Sequence, residues 1–482
     1  MSSSSDCSLS SDDEYYGDNG EQFRGEVIHN KYALIEKIGY GSYSSVWLVF
    51  DLLNKKYFAM KIQNSEDYEE GVEEMKILKK LKLFKNSNII NLEESFEFVK
   101  KEITKTKTKK GKKFYMKKNV VLNKFVCMVL PLMSGSIYSV IKEGKYKNGL
   151  PINIVKKCIT NLLHAMDVLH NNLNICHTDL KPENMLISGV SIKVQQIIDE
   201  YDNFNINDII KKEISEKLDS KKWNLNNPSN KKKYRKCKSN IYKKCHQDIL
   251  SKMICLDSVD SDDEESSSYD SDLSDDMDLN KIVLNPENKS DDESKELSDT
   301  DSSKNSFNEY EVIDDNTVNN GNIVLTDFGS SMKIDDLDDE LQTRYYRAPE
   351  VVLGITPSEK IDIWSIGCIA FELFTGNIMF DPDKDEKYSR DFHHLYLIEE
   401  LIGRIPKDLI KKSPRRKEFF DKNYKLRCES ITHIDLDEEI KENNSDINDF
   451  IKKCLEINPK KRPSIKNLLN HKFIINSLKS NI

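Results

Sequence analysis

The sequence predicts an α+β protein made of a smaller, strand-rich part with one prominent helix (the small lobe) and a larger, mainly helical part (the larger lobe). From residue 31 onward, strand-like apolar runs alternate with Gly, Ser and charged turns. Residues 67–83 carry apolar side chains at helical spacing between those runs. Beyond residue 134 the apolar pattern is helical, as in the uninterrupted run "NIVKKCITNLLHAMDVLH" (153–170).

The small lobe is predicted to span residues 26–133. Its first three strands are "YALIEKIG", "SSVWLVFD" and "KYFAMKIQ", and its helix places Val72, Met75, Leu78 and Leu81 on one face. A further strand pair, "FEFV" and "VCMVL", is separated by the lysine-rich residues 100–118, which we predict to be a solvated loop.

The larger lobe is predicted in two pieces, residues 134–194 and 319–476. Between them, residues 195–318 hold a basic block, "KKKYRKCK" (231–238), and then acidic serine-rich runs. A structureless loop of that length does not fit inside a compact domain, so we predict a low-complexity, mostly disordered insertion whose deletion leaves activity intact. The acidic tail 1–25 is expected to be disordered, and residues 477–482 form a C-terminal tail.

Composition excludes several classes of protein. The 482 residues carry a net charge of −9, and the ten cysteines lack paired CxxC spacing, which favours reduced thiols over disulfides or a zinc site. No run approaches the ~18 apolar residues needed to span a membrane, and the N-terminus lacks a signal-peptide pattern. We expect an intracellular protein of the cytoplasm or nucleus, monomeric, without a membrane or a direct need for nucleic acid.

Two motifs in the small lobe are typical of phosphate binding. "GYGSYSSV" (39–46) places Gly39 and Gly41 in a strand-turn-strand, where small residues let backbone N–H groups approach phosphates, and Val46 can cover a base. In "FAMK" (58–61), Lys61 lies on a core strand and can reach phosphates. Glu74 on the next helix can pair with it.

The larger lobe supplies the other chemical groups. In "NICHTDLKPENMLIS" (174–188), Asp179 can accept or orient a hydroxyl proton, Lys181 can neutralise a phosphate and Asn184 can hold Mg²⁺. "TDFG" (326–329) adds Asp327 as a second oxygen ligand, the type that Mg²⁺ prefers. "QTRYYRAPE" (342–350) follows. Phosphoryl transfer needs this set: positioned phosphates, Mg²⁺ and an oriented nucleophile.

These motifs, in this order, closely resemble the eukaryotic protein kinase family over residues ~31–475, the insertion excepted. The resemblance implies a bilobal protein-kinase fold that binds ATP and Mg²⁺ between its lobes. It implies that Leu130 is the gatekeeper, that Thr343 links Asp179 to Lys181, that Glu350 pairs with Arg462, and that Asp362 braces the catalytic loop. The implied ATP-binding residues are Ile38, Gly39, Gly41, Ser42, Val46, Ala59, Lys61, Leu130, Leu132, Met133 and Leu186.

Thr178 narrows the choice of kinase subfamily that the chain resembles. In many kinases the residue before the catalytic Asp is an arginine that binds a phosphorylated activation segment, and threonine cannot form that charge-assisted fork. The triplet "HTD" resembles the corresponding triplet of two kinase families. These are the SR-protein kinases, which phosphorylate serines in Arg/Ser repeats, and the LAMMER (Clk-type) kinases. "DIWSIGCIAFELFTGNIMFDP" and the long spacer resemble the former, whereas "DFG" and "RAPE" are general kinase forms.

The sequence therefore predicts a serine/threonine kinase that transfers the γ-phosphate of ATP to Arg/Ser-rich proteins and is active without activation-segment phosphorylation. Alternatives are a LAMMER-like or other kinase subfamily, and a pseudokinase scaffold. A scaffold typically loses one of the catalytic residues, and Lys61, Asp179, Asn184 and Asp327 are all present. Block 231–238 is a candidate nuclear-import patch.

Overall fold

A six-stranded antiparallel sheet, in the order β1-β2-β3-β4-β6-β5, forms the small lobe of this computed structural model. The structure describes residues 23–41, 43–110, 113–142, 144–219, 221, 223–257, 313–338, 341–384, 387–440 and 445–476. The strands of this sheet are β1 (Val27–Ile28), β2 (Tyr32–Gly41), β3 (Ser44–Asp51), β4 (Lys56–Gln63), β5 (Glu94–Lys110) and β6 (Lys113–Leu130).

One helix, α1 (Tyr68–Leu81), packs against this sheet. Glu69 and Glu70 lie in its first turn and Lys79 and Lys80 in its last, so the charges at both ends complement the helix dipole. Its buried face carries Met75, Ile77, Leu78 and Leu81 into the main hydrophobic core. Glu74 is on the same buried face, which aims it at the cleft rather than at solvent.

The second lobe is mainly helical and holds two small sheets, β10-β9-β7 and β11-β8. Its best-buried element is α9, in which fourteen consecutive residues, Ile361–Phe374, are shielded from solvent. The strands are β7 (Met133–Ser136), β8 (Ile175–Cys176), β9 (Met185–Ser188), β10 (Ile323–Leu325) and β11 (Met332–Lys333). The helices are α2 (Ile137–Lys142), α3 (Ile152–Asp167), α4 (Ile192–Asn203), α5 (Ile206–Ile214), α6 (Pro228–Asp257), α7 (Asp315–Asn320), α8 (Pro349–Val352), α9 (Lys360–Thr375), α10 (Arg390–Leu401), α11 (Lys407–Lys412), α12 (Arg416–Phe419), α13 (Leu436–Glu439), α14 (Ser445–Cys454), α15 (Ile465–Leu469) and α16 (Lys472–Ile475).

The predicted α+β architecture with two lobes is confirmed. One hydrophobic cluster runs from the α1 side of the sheet through α3 and α9 to the last helices, so the lobes share a core at their junction. Within the described residues, no helix is both long and apolar enough to cross a membrane.

The prediction that residues 195–318 are mostly disordered is wrong for the first half of that segment. Helices α4, α5 and α6 pack on the same face of the small-lobe sheet as α1, where Ile198, Ile210 and Ile249 meet Ile35 and Leu48 in a separate buried cluster. Leu48 pairs with Ala59 and therefore shares a face with Ala59 and Lys61, the residue that meets α1, so the three helices cover the apolar residues of that face around β2 and β3. Deleting this half would expose that cluster, contrary to the prediction that deletion is harmless. Residues 258–312, with the acidic runs, lie outside the described residues.

Polar contacts also join the insertion to the sheet. The Tyr57 hydroxyl of β4 donates to Asp202 Oδ1 at 2.6 Å, and Lys55 Nζ donates to Asn207 Oδ1 at 2.7 Å. Inside the interface the Tyr201 hydroxyl bonds to Nδ1 of the buried His246. Burial lowers the pKa of His246 to about 3, so the ring is neutral and this nitrogen accepts the bond.

Two other boundaries differ from the prediction. Residues 100–118 are not a solvated loop, because β5 and β6 continue as an antiparallel pair from Glu94↔Val129 to Lys110↔Lys113. The alternating Thr and Lys residues there satisfy their backbone groups by pairing, which needs no core. The tail ends earlier than residue 25, since Phe23 is buried edge-on against Trp47 and Phe125. Residues 1–22 and 477–482 lie outside the described residues.

Candidate active site

Asp362 of α9 fixes the loop between β8 and β9 through hydrogen bonds. Its carboxylate accepts hydrogen bonds from the backbone N–H groups of His177 at 2.8 Å and Thr178 at 3.0 Å, and from Cys176 Sγ at 3.0 Å. His170 Nε2 lies 2.8 Å from the same carboxylate. Burial opposes ionisation of Asp362, but these donors hold its pKa below the usual value, so a buried carboxylate fixes the loop.

These hydrogen bonds hold Thr178 in a strained conformation. Its φ is 68°, a left-handed value that β-branched residues rarely adopt. Strain of this kind persists only where the surroundings over-determine the backbone, and it clusters at functional sites. Here it turns the next residue, Asp179, towards the cleft.

Asp179 is held by two side chains on different elements. Thr343 Oγ1 donates to Asp179 Oδ1 at 2.5 Å, and Lys181 Nζ donates to Oδ2 at 2.8 Å. Lys181 also lies 3.4 Å from the Thr343 hydroxyl. Asn184 Nδ2 donates to the backbone carbonyl of Asp179 at 2.8 Å, which fixes the amide. These contacts orient a carboxylate that can accept a proton and an ammonium that can meet a phosphate.

Lys61, Glu74 and Asp327 form a charged triad that joins the two lobes. Lys61 Nζ lies 2.9 and 2.8 Å from the two Glu74 oxygens and 2.9 Å from Asp327 Oδ1. Burial alone would lower the pKa of Lys61, but the adjacent Glu74 and Asp327 carboxylates hold it above its usual value. Likewise burial would raise the pKa of Asp327, and Lys61 keeps it low. Lys61 and Asp327 are therefore both charged.

Asn184 and Asp327 fit a Mg²⁺ ion. Asp327 is an ionised carboxylate with nearly half of its side-chain surface open, and Asn184 turns its amide nitrogen to Asp179, which leaves its oxygen for a cation. Backbone pairing places these two side chains together, because Thr326 N donates to the Asn184 carbonyl at 3.0 Å. Mg²⁺ held there would neutralise the phosphates of a bound nucleotide.

The other predicted ATP-binding residues that the structure describes lie on β2, β3, β4 and β6, on β7 and the connection into it, and on β9. Ala59 pairs with Leu130 across β4 and β6, and both are buried. Gly39 pairs with Val46, and Gly41 with Ser44, in the hairpin above them. Half-buried Ile38, Val46, Leu132 and Met133 pack at the edge of the main core, and Leu186 of β9 is half-buried below. Ser42 lies outside the described residues.

The predicted structural pairs meet in the structure. Arg462 NH1 and NH2 lie 2.8 and 3.1 Å from the two Glu350 oxygens, with both side chains buried. His177 contacts Phe328 edge-on, with ring centroids 5.3 Å apart, and Leu78 is buried in the same core. These contacts attach the active-site loops to the lobe cores.

Two contacts of the segment 327–350 have no obvious sequence signal. The Thr178 hydroxyl donates to the backbone carbonyl of Ser330 at 2.7 Å, which ties the catalytic loop to the segment directly. Gln342, buried with φ of 71°, donates to Tyr346 O, Ile361 O and Ser365 Oγ and accepts from Ala348 N. Its place just before Thr343 was the available clue, and only the fold reveals its partners.

A pair of carboxyl groups lies beside the catalytic loop. Glu183 Oε2 is buried with no hydrogen-bond partner among the described residues. Burial raises the pKa of Glu183, and raises that of Glu372 to about 7 although the Tyr346 hydroxyl donates to Glu372 at 2.7 Å. Burial therefore disfavours the ionised form of both carboxyl groups.

Comparison with known proteins agrees with this geometry. The protein kinase domain family matches residues 32–199 and 313–474. A putative serine/threonine-protein kinase of Acanthamoeba polyphaga mimivirus is 31% identical, over 93% of this chain and 88% of its own. SRSF protein kinase 3 of Mus musculus is 25% identical (93% and 87%), and protein kinase dsk1 of Schizosaccharomyces pombe is 26% identical (86% and 74%).

A kinase domain of known crystal structure shares the fold, with a TM-score of 0.55 at 21% identity over 93% of this chain and 97% of its own. The family match covers both lobes and leaves out residues 200–312, which include α5 and α6. The chain therefore belongs to the protein kinase family, among the serine/threonine kinases related to the SR-protein kinases.

Proposed function

We propose that this kinase transfers the γ-phosphate of ATP to serine in Arg/Ser-rich proteins and needs no phosphate on its activation segment. Asp179 would orient the serine hydroxyl and accept its proton, and Lys181 would stabilise charge on the transferred group. Lys61 would hold the nucleotide phosphates, and Asn184 and Asp327 would bind Mg²⁺. The observation that carries the catalytic part is the intact geometry of Asp179, with donors at 2.5 and 2.8 Å.

Activity without phosphorylation is supported by the contacts of the segment 327–350. The Thr178 hydroxyl donates to the Ser330 carbonyl, and the Gln342 side chain donates to Ser365 Oγ. Arg344 forms an ion pair with Asp391 of α10. Arg347 donates to the Gln342 carbonyl at 2.8 Å. Each contact uses groups already in the chain, so no added phosphate is needed to order the segment.

A preference for arginine is supported by the Glu183 carboxyl. Its Oε2 is buried without a hydrogen-bond partner among the described residues, Asp179 lies near it, and burying a carboxyl oxygen that no donor contacts is costly. A guanidinium from the substrate can supply a fork of donors there. The names of relatives such as SRSF protein kinase 3 agree with this substrate class.

The experiment is transfer from Mg-ATP to an Arg/Ser-repeat peptide, compared with Lys/Ser, acidic and proline-directed peptides. We expect the Arg/Ser peptide to be preferred and Glu183→Gln to raise KM for it more than for the Lys/Ser peptide. A preference for the acidic or proline-directed peptide would assign another subfamily, including a LAMMER-like one. ATP binding without transfer, equal to that of Asp179→Asn, would identify a pseudokinase scaffold.

A further inference from the structure

The first half of α6 carries an exposed basic surface that catalysis does not use. It consists of Lys231, Lys232, Lys233, Arg235 and Lys236, all exposed. None of these five has an acidic partner within the part of the chain that the structure describes. A charged surface of one sign attracts a partner of the opposite sign.

The rest of α6 holds this basic surface in a fixed place. Cys245, Ile249 and Leu250 are buried against the small-lobe sheet, and Lys243 Nζ pairs with Glu26 at 2.8 Å. Closer to the basic surface, the Ser239 hydroxyl donates to Asn30 Oδ1 at 3.0 Å. The basic surface therefore projects from an anchored helix.

Neighbouring cations strengthen the positive field. Burial is the largest cause that lowers the pKa of Lys55. The charges of Lys211 on α5 and of Lys238, at the end of the basic surface, lower it further, so the three ammonium groups lie close enough to repel. Lys55 Nζ donates to the amide oxygen Asn207 Oδ1, with Asp51 acting on it from further away, and Lys211 pairs with Asp208 at 2.9 Å. Like charges that remain together favour an anion that can bridge them.

The same chain carries the complementary anion directly after α6. Residues 258–303 contain seventeen acidic residues against three lysines and no arginine, and ten of the acidic residues fall within 258–278. From Lys236 to the end of α6 at Asp257 the helix rises about 32 Å. About ten extended residues cover that distance.

We propose that the acidic residues 258–303 dock on the basic surface of α6 in the same molecule. A tethered partner reaches an effective concentration of millimolar order, which a free polyanion in dilute solution does not match. The occupant is therefore this acidic segment rather than a nucleic acid. This interaction goes beyond the proposed kinase activity and does not depend on it.

The direct test is zero-length carbodiimide crosslinking of the full-length chain, which joins a lysine amine to a carboxylate in contact with it. We expect crosslinks from Lys231, Lys232, Lys233 and Lys236 to residues 258–303, and loss of these crosslinks at about 1 M salt, where the Debye length falls to about 3 Å. Lys79 and Lys80 on α1, also exposed, are the internal control. Crosslinks spread equally to those two lysines would overturn the proposal.

A binding experiment distinguishes the occupants. In a full-length variant whose acidic residues in 258–303 are changed to amides, a labelled peptide of residues 258–278 should bind, and changing the five basic residues to Gln should abolish that binding. The unaltered chain should bind neither this peptide nor a single-stranded RNA oligonucleotide at physiological salt. RNA binding by the unaltered chain through the same five residues would contradict the proposal and favour a nucleic acid.

Discussion

Thr178 offers the sharpest test of how the activation segment is ordered. Thr178→Val removes the hydroxyl that donates to the Ser330 carbonyl at 2.7 Å but keeps β-branching, so the strain at φ of 68° is the same in both proteins. An unsatisfied buried carbonyl costs about 1–3 kcal/mol. Because Ser330 is itself exposed, water can partly replace the lost donor, and we expect about 1–1.4 kcal/mol.

That free energy corresponds to a five- to tenfold change in the opening equilibrium of the segment. Amide hydrogen exchange over residues 328–338 should therefore accelerate about five- to tenfold in Thr178→Val. Thr178→Ser is the matched control, since it keeps the hydroxyl and should exchange like wild type. Unphosphorylated Thr178→Val should also lose kcat on an Arg/Ser peptide. Unchanged exchange and unchanged kcat would refute the role given to this hydroxyl.

Three further predictions concern stability. Burial raises the pKa of Glu372 from 4.5 to about 7, so the folded protein binds an extra proton between these pH values. Wild type should lose up to about 3 kcal/mol of unfolding free energy between pH 4.5 and 7, and Glu372→Gln should not, as denaturant titration across pH would show. Arg462→Leu should lower the free energy of unfolding by about 3–5 kcal/mol, because Glu350 would stay buried and unpaired. Denaturant titration at pH 7 measures this free energy, and a loss below about 1 kcal/mol would contradict the prediction. Ile249→Ala should lower the free energy of unfolding by about 2–5 kcal/mol in the same assay, and deleting residues 258–312 should lower it by less; the reverse order would contradict the packing of α6.

The sequence predicted which side chains meet in the candidate site better than it predicted their surroundings, for a physical reason. Phosphoryl transfer restricts residue types at Lys61, Asp179 and Asp327 so strongly that spacing alone identifies them. The insertion offered no such restriction. Its helix α6 is rich in lysine, and only its second half packs on the sheet. The high average polarity of the helix therefore gave no indication that Ile249 and Leu250 are buried.

The sequence also could not predict hydrogen bonds between residues that are distant along the chain. The Thr178 hydroxyl meets Ser330 across 152 positions, and Gln342 satisfies four groups around a bend with positive φ. Nothing local in the sequence distinguishes these residues from a chance Thr and Gln. Their roles depend on how two loops approach each other, which only tertiary packing determines.

The proposed function requires that this kinase phosphorylate Arg/Ser-rich substrates without a phosphate on its own activation segment. The most direct measurement is the initial rate on an Arg/Ser-repeat peptide, using protein shown by mass spectrometry to carry no phosphate within residues 327–350. We predict full turnover without a lag, unchanged by phosphatase treatment and absent in Asp179→Asn. A lag that ends only when phosphate appears in that segment would contradict the account.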